Sequence, residues 1–271
     1  MVKKRVKQVQ HEDVTALHCS YYFLGNGFRA WTFHVDGLMV ETGPRRARSE
    51  VRRFAQRFHP QAIAVTHFHE DHTGNAADLA TRYRIPVYMS AQTARILSGS
   101  PRIPLYRRVV WGPLDPVRGE VQDRIETDRY CFQAVPTPGH ARDHVAWVEE
   151  EQGWAFTGDL FIANRHTYGL RDESISQLAA SIRRVLRYPI QTVFCSHAGV
   201  IPDGVTALRK KLDFLEWLQA ETLRLYKEGA CSREIAARLL KRRPALVCFS
   251  NGELSPVHLI RSILREHRKK A

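Results

Sequence analysis

The stretch THFHEDHTG, residues 66–74, constrains this chain more than any other. It sets His67, His69, Glu70, Asp71 and His72 directly after the apolar run Ala62-Ile63-Ala64-Val65. The continuous apolar character of that run reads as a buried strand, which delivers the histidines to a loop at its end. In an extended segment His67 and His69 point the same way. Their rings can then reach one metal ion at about 2.0–2.1 Å per bond. Asp71 and His72 follow a turn and can reach a neighbouring ion. A cluster of surface histidines is the plainer reading of the stretch taken alone.

Three further fragments weigh against it. PTPGHARDH sets His140 after a Pro138-Gly139 turn that leaves a strand. FTGDLF sets Asp159 after Gly158 at a strand end, and FCSHAG sets His197 at the end of an apolar strand. Each is weak alone, since a loop histidine is usually polar surface. Together the fragments give seven nitrogen or oxygen ligands at the carboxyl ends of predicted strands, where α/β folds gather their sites.

The remaining sequence supplies a frame. TALHCSYYF and RAWTFHV read as strands about a Gly25-Asn26-Gly27 turn, and GLMVETG as a third strand. ARSEVRRFAQRF is an amphipathic helix by Val51, Phe54 and Phe58. NAADLATRYR, AQTARIL and DESISQLAASIRRVLR read as further helices; PVYMS, YCFQAVPT, HVAWVEE, GWAFTG and QTVFCS read as strands. Residues 99–118 hold Pro101, Pro104, Pro113 and Pro116 and read as an irregular loop. Strands interleaved with helices predict α/β layers around two sheets.

From Asp203 onward only helices are predicted. Leu208, Leu212, Leu215, Leu218 and Leu225 form one stripe, interrupted at Thr222, with Gly229 as a stop. Ser232 is the expected cap of a second helix, and Ser255-Pro256 opens a third. The expected division is 1–202 and 203–271. No Gly/Ser linker separates the two parts, so the second packs on the first.

Composition narrows the class. A hydrophobic content of 44% suits a globular core. No apolar run approaches the roughly 18 residues of a membrane helix. The basic segment MVKKRVKQVQHED lacks the apolar stretch of a secretory signal. A cytoplasmic protein without a membrane partner is expected. The five cysteines form no CxxC pair, so reduced thiols are the default, and Cys195 reads as a buried strand thiol. The net charge of +13 suits an anionic substrate or nucleic acid, or simply a solvated arginine-rich surface. The sequence carries no signal for an oligomeric state.

The four motifs, His67-x-His69-x-Asp71-His72, TPGH with His140, GDL with Asp159 and SHAG with His197, occur in an order that resembles the metallo-β-lactamase-fold hydrolase superfamily, which includes glyoxalase II-like enzymes. The resemblance covers about residues 15–200. It implies an αββα sandwich of the α/β class with a C-terminal helical extension and a two-metal site between the sheets. One ion would take His67, His69 and His140, the other Asp71, His72 and His197, and Asp159 would bridge them. Imidazole and carboxylate ligands suit two Zn²⁺, and also Fe or Mn. The implied reaction is hydrolysis of an acyl substrate, a thioester or lactone, by a metal-activated hydroxide, with Asp71 as the catalytic residue that orients it or accepts its proton. Two departures stand out. Glu41 in VETG replaces the family's frequent Asp, and Ser196 precedes His197 where Gly is common.

Other readings remain open at this point. The charge favours a phosphodiesterase or nuclease. An iron-dependent redox member is a further option. A nucleic-acid-binding module would use helices near 232–242 and 255–268, with Lys241-Arg242-Arg243, Arg261 and Arg265. Arg165, His166 and Tyr168, with Tyr106 and Trp111, are candidate pocket residues for a small anionic or acyl substrate.

Overall fold

The computed structural model describes residues 3–23, 26–99, 101–240 and 244–270. Gly25 of the expected turn and the Lys241-Arg242-Arg243 run lie outside these residues. Two sheets face each other. The first runs in sequence order: β1 (Lys3–His11), β2 (Val14–Phe23), β3 (Asn26–Val35), β4 (Leu38–Val40), β5 (Ala62–Ala64), β6 (Val87–Met89) and β7 (Glu120–Val121). Its first four strands are antiparallel, and β4 to β7 pair in parallel. The second holds β8 (Arg124–Glu126), β9 (Cys131–Pro136), β10 (Val145–Glu149), β11 (Trp154–Gly158), β12 (Thr192–Cys195) and β13 (Gly199–Ile201), in the order β13-β12-β11-β10-β9-β8.

The inner faces meet in an aromatic layer of Phe33, Phe132, Trp147, Trp154, Phe156 and Phe194. Phe156 and Phe194 stack with centroids 4.6 Å apart. Burying each such ring is worth about 1.5–3 kcal/mol, so this layer holds the sheets together.

Helices cover both outer faces. The first half of the chain contributes α1 (Arg48–Phe58), α2 (Glu70–Thr73), α3 (Ala76–Tyr83), α4 (Ala91–Leu97) and α5 (Leu105–Val110). Val51, Phe54, Leu79 and Leu97 seat α1, α3 and α4 on the first sheet. The second half contributes α6 (Ile175–Val185), α7 (Gly204–Lys227), α8 (Ser232–Leu239), α9 (Pro244–Phe249) and α10 (Pro256–Lys270). Ile182, Leu208, Leu218, Ile235 and Leu259 join α6, α7, α8 and α10 in one cluster with the second sheet. The α/β class and the αββα sandwich with C-terminal helices follow the expectation from the resemblance. Among the described residues no helix is long and apolar enough to cross a membrane.

Several elements differ from the sequence reading. The basic N-terminal segment is an edge strand, paired with β2 from Lys3↔Tyr22 to His11↔Val14. Within the proline-rich stretch LYRRVV forms α5. Ser232 is the first residue of α8 rather than its cap, because Cys231 takes the cap position and donates its N–H to Glu234 Oε2 at 2.8 Å. Thr222 continues the buried stripe of α7.

Candidate metal centre

The centre forms where strands of both sheets end together. Val65 and Thr66 extend β5 towards the second sheet. There Val145 donates its N–H to the Thr66 carbonyl at 2.8 Å, and the Trp147 indole donates to the Val65 carbonyl at 3.1 Å. His67, Phe68 and His69 follow, and α2 starts with His69 at its cap position. The Thr73 hydroxyl donates back to the His69 carbonyl at 2.9 Å, while Thr42 donates its N–H and hydroxyl to the His72 carbonyl at 2.6 and 2.9 Å. These bonds turn the chain sharply enough to aim Asp71 and His72 at the same space as His67.

The second sheet supplies the other three residues. His140 follows β9, Asp159 follows β11 and His197 follows β12. Gly158 adopts a left-handed conformation with φ +46°. A Cβ there would lie 2.7 Å from His144 Nε2, so only glycine fits before Asp159. The Asp159 N–H donates to that same Nε2 at 3.1 Å, and His144 Nδ1 lies 2.8 Å from the Thr137 hydroxyl.

All seven side chains converge. The ligand atoms of His67, His69, His140 and Asp159 lie within 4.8 Å of one another, and those of Asp71, His72 and His197 form a second group. Asp159 stands between the groups: Oδ2 is 3.1 Å from His140 Nε2, and Oδ1 is 3.4 Å from His72 Nε2 and 3.1 Å from His197 Nε2. Asp71 Oδ2 is 3.5 Å from His197 Nε2. His197 is partly exposed, and the other six are buried.

Polar atoms lie behind the outer edges of four rings. His67 Nδ1 lies 3.0 Å from the Thr66 hydroxyl, His72 Nδ1 3.1 Å from Glu41 Oε1, His140 Nδ1 3.5 Å from Glu173 Oε1, and His197 Nδ1 2.5 Å from the Arg29 carbonyl. Each of these four rings thereby turns Nε2 inward. Glu41 keeps a carboxylate behind His72 despite replacing Asp, and it also accepts from the Thr66 hydroxyl.

The donor set fits divalent cations. Buried His67 Nε2, His72 Nε2 and Asp159 Oδ1 have no hydrogen-bond partner. Leaving such groups unsatisfied is costly, and imidazole nitrogens with carboxylate oxygens are suitable ligands for a divalent ion. The charges say the same. Burial drives His67 and His69 well below their ordinary value. Burial also opposes charge on His72 and His197, yet Asp159 and its neighbours outweigh it and raise both, His197 to about 9. Asp159, which burial alone would raise, is held well below the usual carboxylate range by His197, His72 and His140.

Three neighbours escaped the sequence reading. Glu173 bridges His140 and His166, lying 3.2 Å from His166 Nε2. It looked like the first turn of a helix, but α6 begins at Ile175 with Ser174 as cap, so Glu173 precedes the helix and turns inward. His144, four residues after His140, was present in the GHARDH fragment; burial holds it neutral, with its pKa pushed down to about 3. Arg107 of α5 holds Glu70 through two bonds of 2.5 and 2.7 Å, lies 3.6 Å from Glu253, and borders both cavities described below.

A cavity of about 450 Å³ opens onto the centre, bordered by Tyr106, Trp111, Arg165, His166 and Tyr168. The expected pocket residues thus share one space. A second cavity of about 1020 Å³ also reaches His69 and His140 and continues past Phe68, Ile96 and Ile103. From α9, Leu246 reaches the first and Phe249 the second.

The sequence model of the metallo-β-lactamase superfamily matches residues 35–197. The chain belongs to the metallo-β-lactamase superfamily. Among its relatives, an atrochrysone carboxyl ACP thioesterase from Aspergillus fumigatus is 24% identical over 89% of this chain and 67% of its own length. A hydroxyacylglutathione hydrolase from Xylella fastidiosa is 27% identical over 66% of this chain and 62% of its own. The chain spans about half to two thirds of the length of these and similar relatives. A metallo-β-lactamase family protein from Thermus thermophilus shares the fold with a TM-score of 0.63 at 18% identity, over 98% of this chain and 93% of that one. Superfamily membership, the His/Asp clusters and these hydrolase-named relatives support a metal-dependent hydrolase.

Proposed function

We propose that this chain hydrolyses an acyl substrate, a thioester or lactone, at a dinuclear Zn²⁺ centre that Fe or Mn can also fill. One observation carries the reading: seven side chains converge, with buried unpartnered donor atoms, beneath a cavity walled by Tyr106 and Trp111. His67, His69 and His140 would hold one ion and Asp71, His72 and His197 the other, with Asp159 placed to serve both. Bound there, such a pair supplies Lewis acidity and lowers the pKa of a water from 15.7 to about 7.

The chain's own residues do the rest. Glu41 and Glu173 stand against Nδ1 of His72 and His140 at 3.1 and 3.5 Å, so their charge favours a proton there and leaves Nε2 free to take an ion. Asp71 is the catalytic residue, orienting the attacking water or accepting its proton at Oδ2. Tyr106, Trp111 and Leu246 hold the acyl group and exclude water from it. Residues 1–202 act as the catalytic unit, and 203–271 as an extension that closes the cavity through α9.

The test is metal analysis of the purified protein with a panel of thioesters, lactones, β-lactams and bis-p-nitrophenyl phosphate. Chelation should abolish acyl hydrolysis and zinc should restore it. Turnover of the phosphodiester alone would overturn the acyl reading. Unchanged turnover in Asp71→Ala would remove the role given to Asp71.

A further inference from the structure

Four arginines that the metal centre does not use line a separate cavity of about 870 Å³. They are Arg171, Arg261, Arg265 and Arg268. Three of them lie on α10, four and three residues apart, so they share one face of the helix over about 10 Å of its axis. Leu259, Ile260 and Ile263 are buried on the same helix and fix how it is rotated. Among the described residues none of the four has a carboxylate at ion-pair distance, whereas Arg48, Arg52, Arg107, Arg183 and Arg224 all do. Guanidinium groups gathered without counter-charges leave a standing positive potential, and their planar forks match phosphate oxygens. Tyr226 adds an aromatic wall; the Arg268 guanidinium lies over its ring at 5.8 Å and donates to its hydroxyl at 3.3 Å.

One short stretch of backbone divides this cavity from the metal centre. On the centre's side Glu173 touches His140. On the other side Arg265 donates to the Arg171 carbonyl at 3.3 Å, and Ile175 donates its N–H to the Ser262 hydroxyl at 3.0 Å. Arg171 lines both the arginine cavity and the larger cavity that reaches His69 and His140. A molecule anchored among the arginines therefore lies next to the larger cavity, and a flexible arm laid past Arg171 would bring its far end to the centre.

We infer that the arginine cavity binds the phosphorylated end of a small thiol carrier, a nucleotide-bearing thiol of the coenzyme A type, whose acyl thioester reaches the metal centre through the larger cavity. This rests on the thioester reading proposed above. Water oxygen adds to the thioester carbonyl carbon, the C–S bond breaks, and the products are a carboxylate, the free thiol and one proton. A concavity suits a small carrier better than the broad acidic surface of a carrier protein. A row of charge about 10 Å long suits more than one phosphate.

Two measurements test this on the zinc-loaded protein. In calorimetry, adenosine 3′,5′-bisphosphate should bind the wild type, and Arg261→Gln should weaken it about tenfold. The Arg261 guanidinium has no partner among the described residues, so this variant keeps the fold where charge reversal at Arg265 would risk it. In kinetics, KM for an acyl-coenzyme A should lie at least tenfold below KM for the same acyl group on pantetheine. Arg261→Gln with Arg268→Gln should bring that ratio close to one, whereas Arg124→Glu, on β8, should leave it intact. Equal KM for the two substrates in the wild type would overturn the carrier alone. Bisphosphate binding by a protein that cleaves no thioester would sink the thioester reading and the carrier with it. Arginine-dependent, salt-sensitive binding of an RNA oligomer without bisphosphate binding would overturn the inference in favour of nucleic acid.

Discussion

The protein buries charge in two neighbouring places and treats it in opposite ways. Glu70 and Arg107 meet in a closed pair, both oxygens of the carboxylate taken by one guanidinium. Next to Glu70 in the chain, Asp71 and His72 belong to a group whose inward atoms are left open. The closed pair, which Glu253 approaches at 3.6 Å, needs no cation and fastens α5 to α2. The open group is complete only with cations. Two carboxylates side by side in the sequence thus serve different ends, and the difference lies in whether another side chain already answers them.

Removing the central carboxylate should have the largest effect. Asp159→Ala is expected to lose bound metal by elemental analysis and about 1,000-fold or more of turnover. Retained metal with normal turnover would break the contrast. The closed pair should answer in stability instead. Glu70→Ala strands a buried guanidinium and should cost about 3–5 kcal/mol in urea unfolding, with much of it recovered by Glu70→Leu combined with Arg107→Met. A loss of only a few tenths in the single variant would show that Glu70 does not close the pair as described.

Smaller effects sharpen the same contrast. Glu173→Gln loosens the His140 ring and should weaken metal affinity about 10–100-fold in a chelator competition, with the fold intact by circular dichroism. The metal-free protein should show a maximum of stability near pH 6.5, falling by a few degrees of Tm on either side. His197, raised to about 9, contributes stability that is fully present below 6.5 and lost as pH climbs through about 9. His144, depressed to about 3, contributes stability present above 6.5 and lost as pH falls towards about 3. Zinc should flatten the alkaline limb, because the ion replaces the protons on His72 and His197. An alkaline limb that zinc leaves untouched would place those protons elsewhere.

The sequence made the layers and the convergence legible for a physical reason. Apolar strands ending in Gly, His or Asp announce both a buried sheet and the rim where polar groups collect, as AIAVTHFH and WAFTGD do. What it hid was long-range. In β1 only Val6 and Val9 interrupt a charged and polar run, as an edge strand permits, so KKRVKQVQH gave no alternating apolar face. In α5, Pro101, Pro104 and Pro113 masked a six-residue helix that starts directly after Pro104. Glu173 lies inside the predicted helix DESISQLAASIRRVLR and Lys211 between the leucines of the predicted stripe, where nothing sets either apart. Lys211 is in fact fully buried and donates to the Phe161 carbonyl, close to Asp159. No local pattern marks a side chain whose partner is fifty residues away.

Each of the two ligand groups draws on both sheets, and the last contributor, His197, comes 130 residues after the first, His67. Neither half of the sandwich holds a complete group by itself. During synthesis the nascent chain therefore passes a long stage in which its histidines are made but not assembled. The first group can assemble only once β11 has delivered Asp159, and the second only once β12 has docked beside β11 and delivered His197. A chain cut between β11 and β12 would carry the first group without the second.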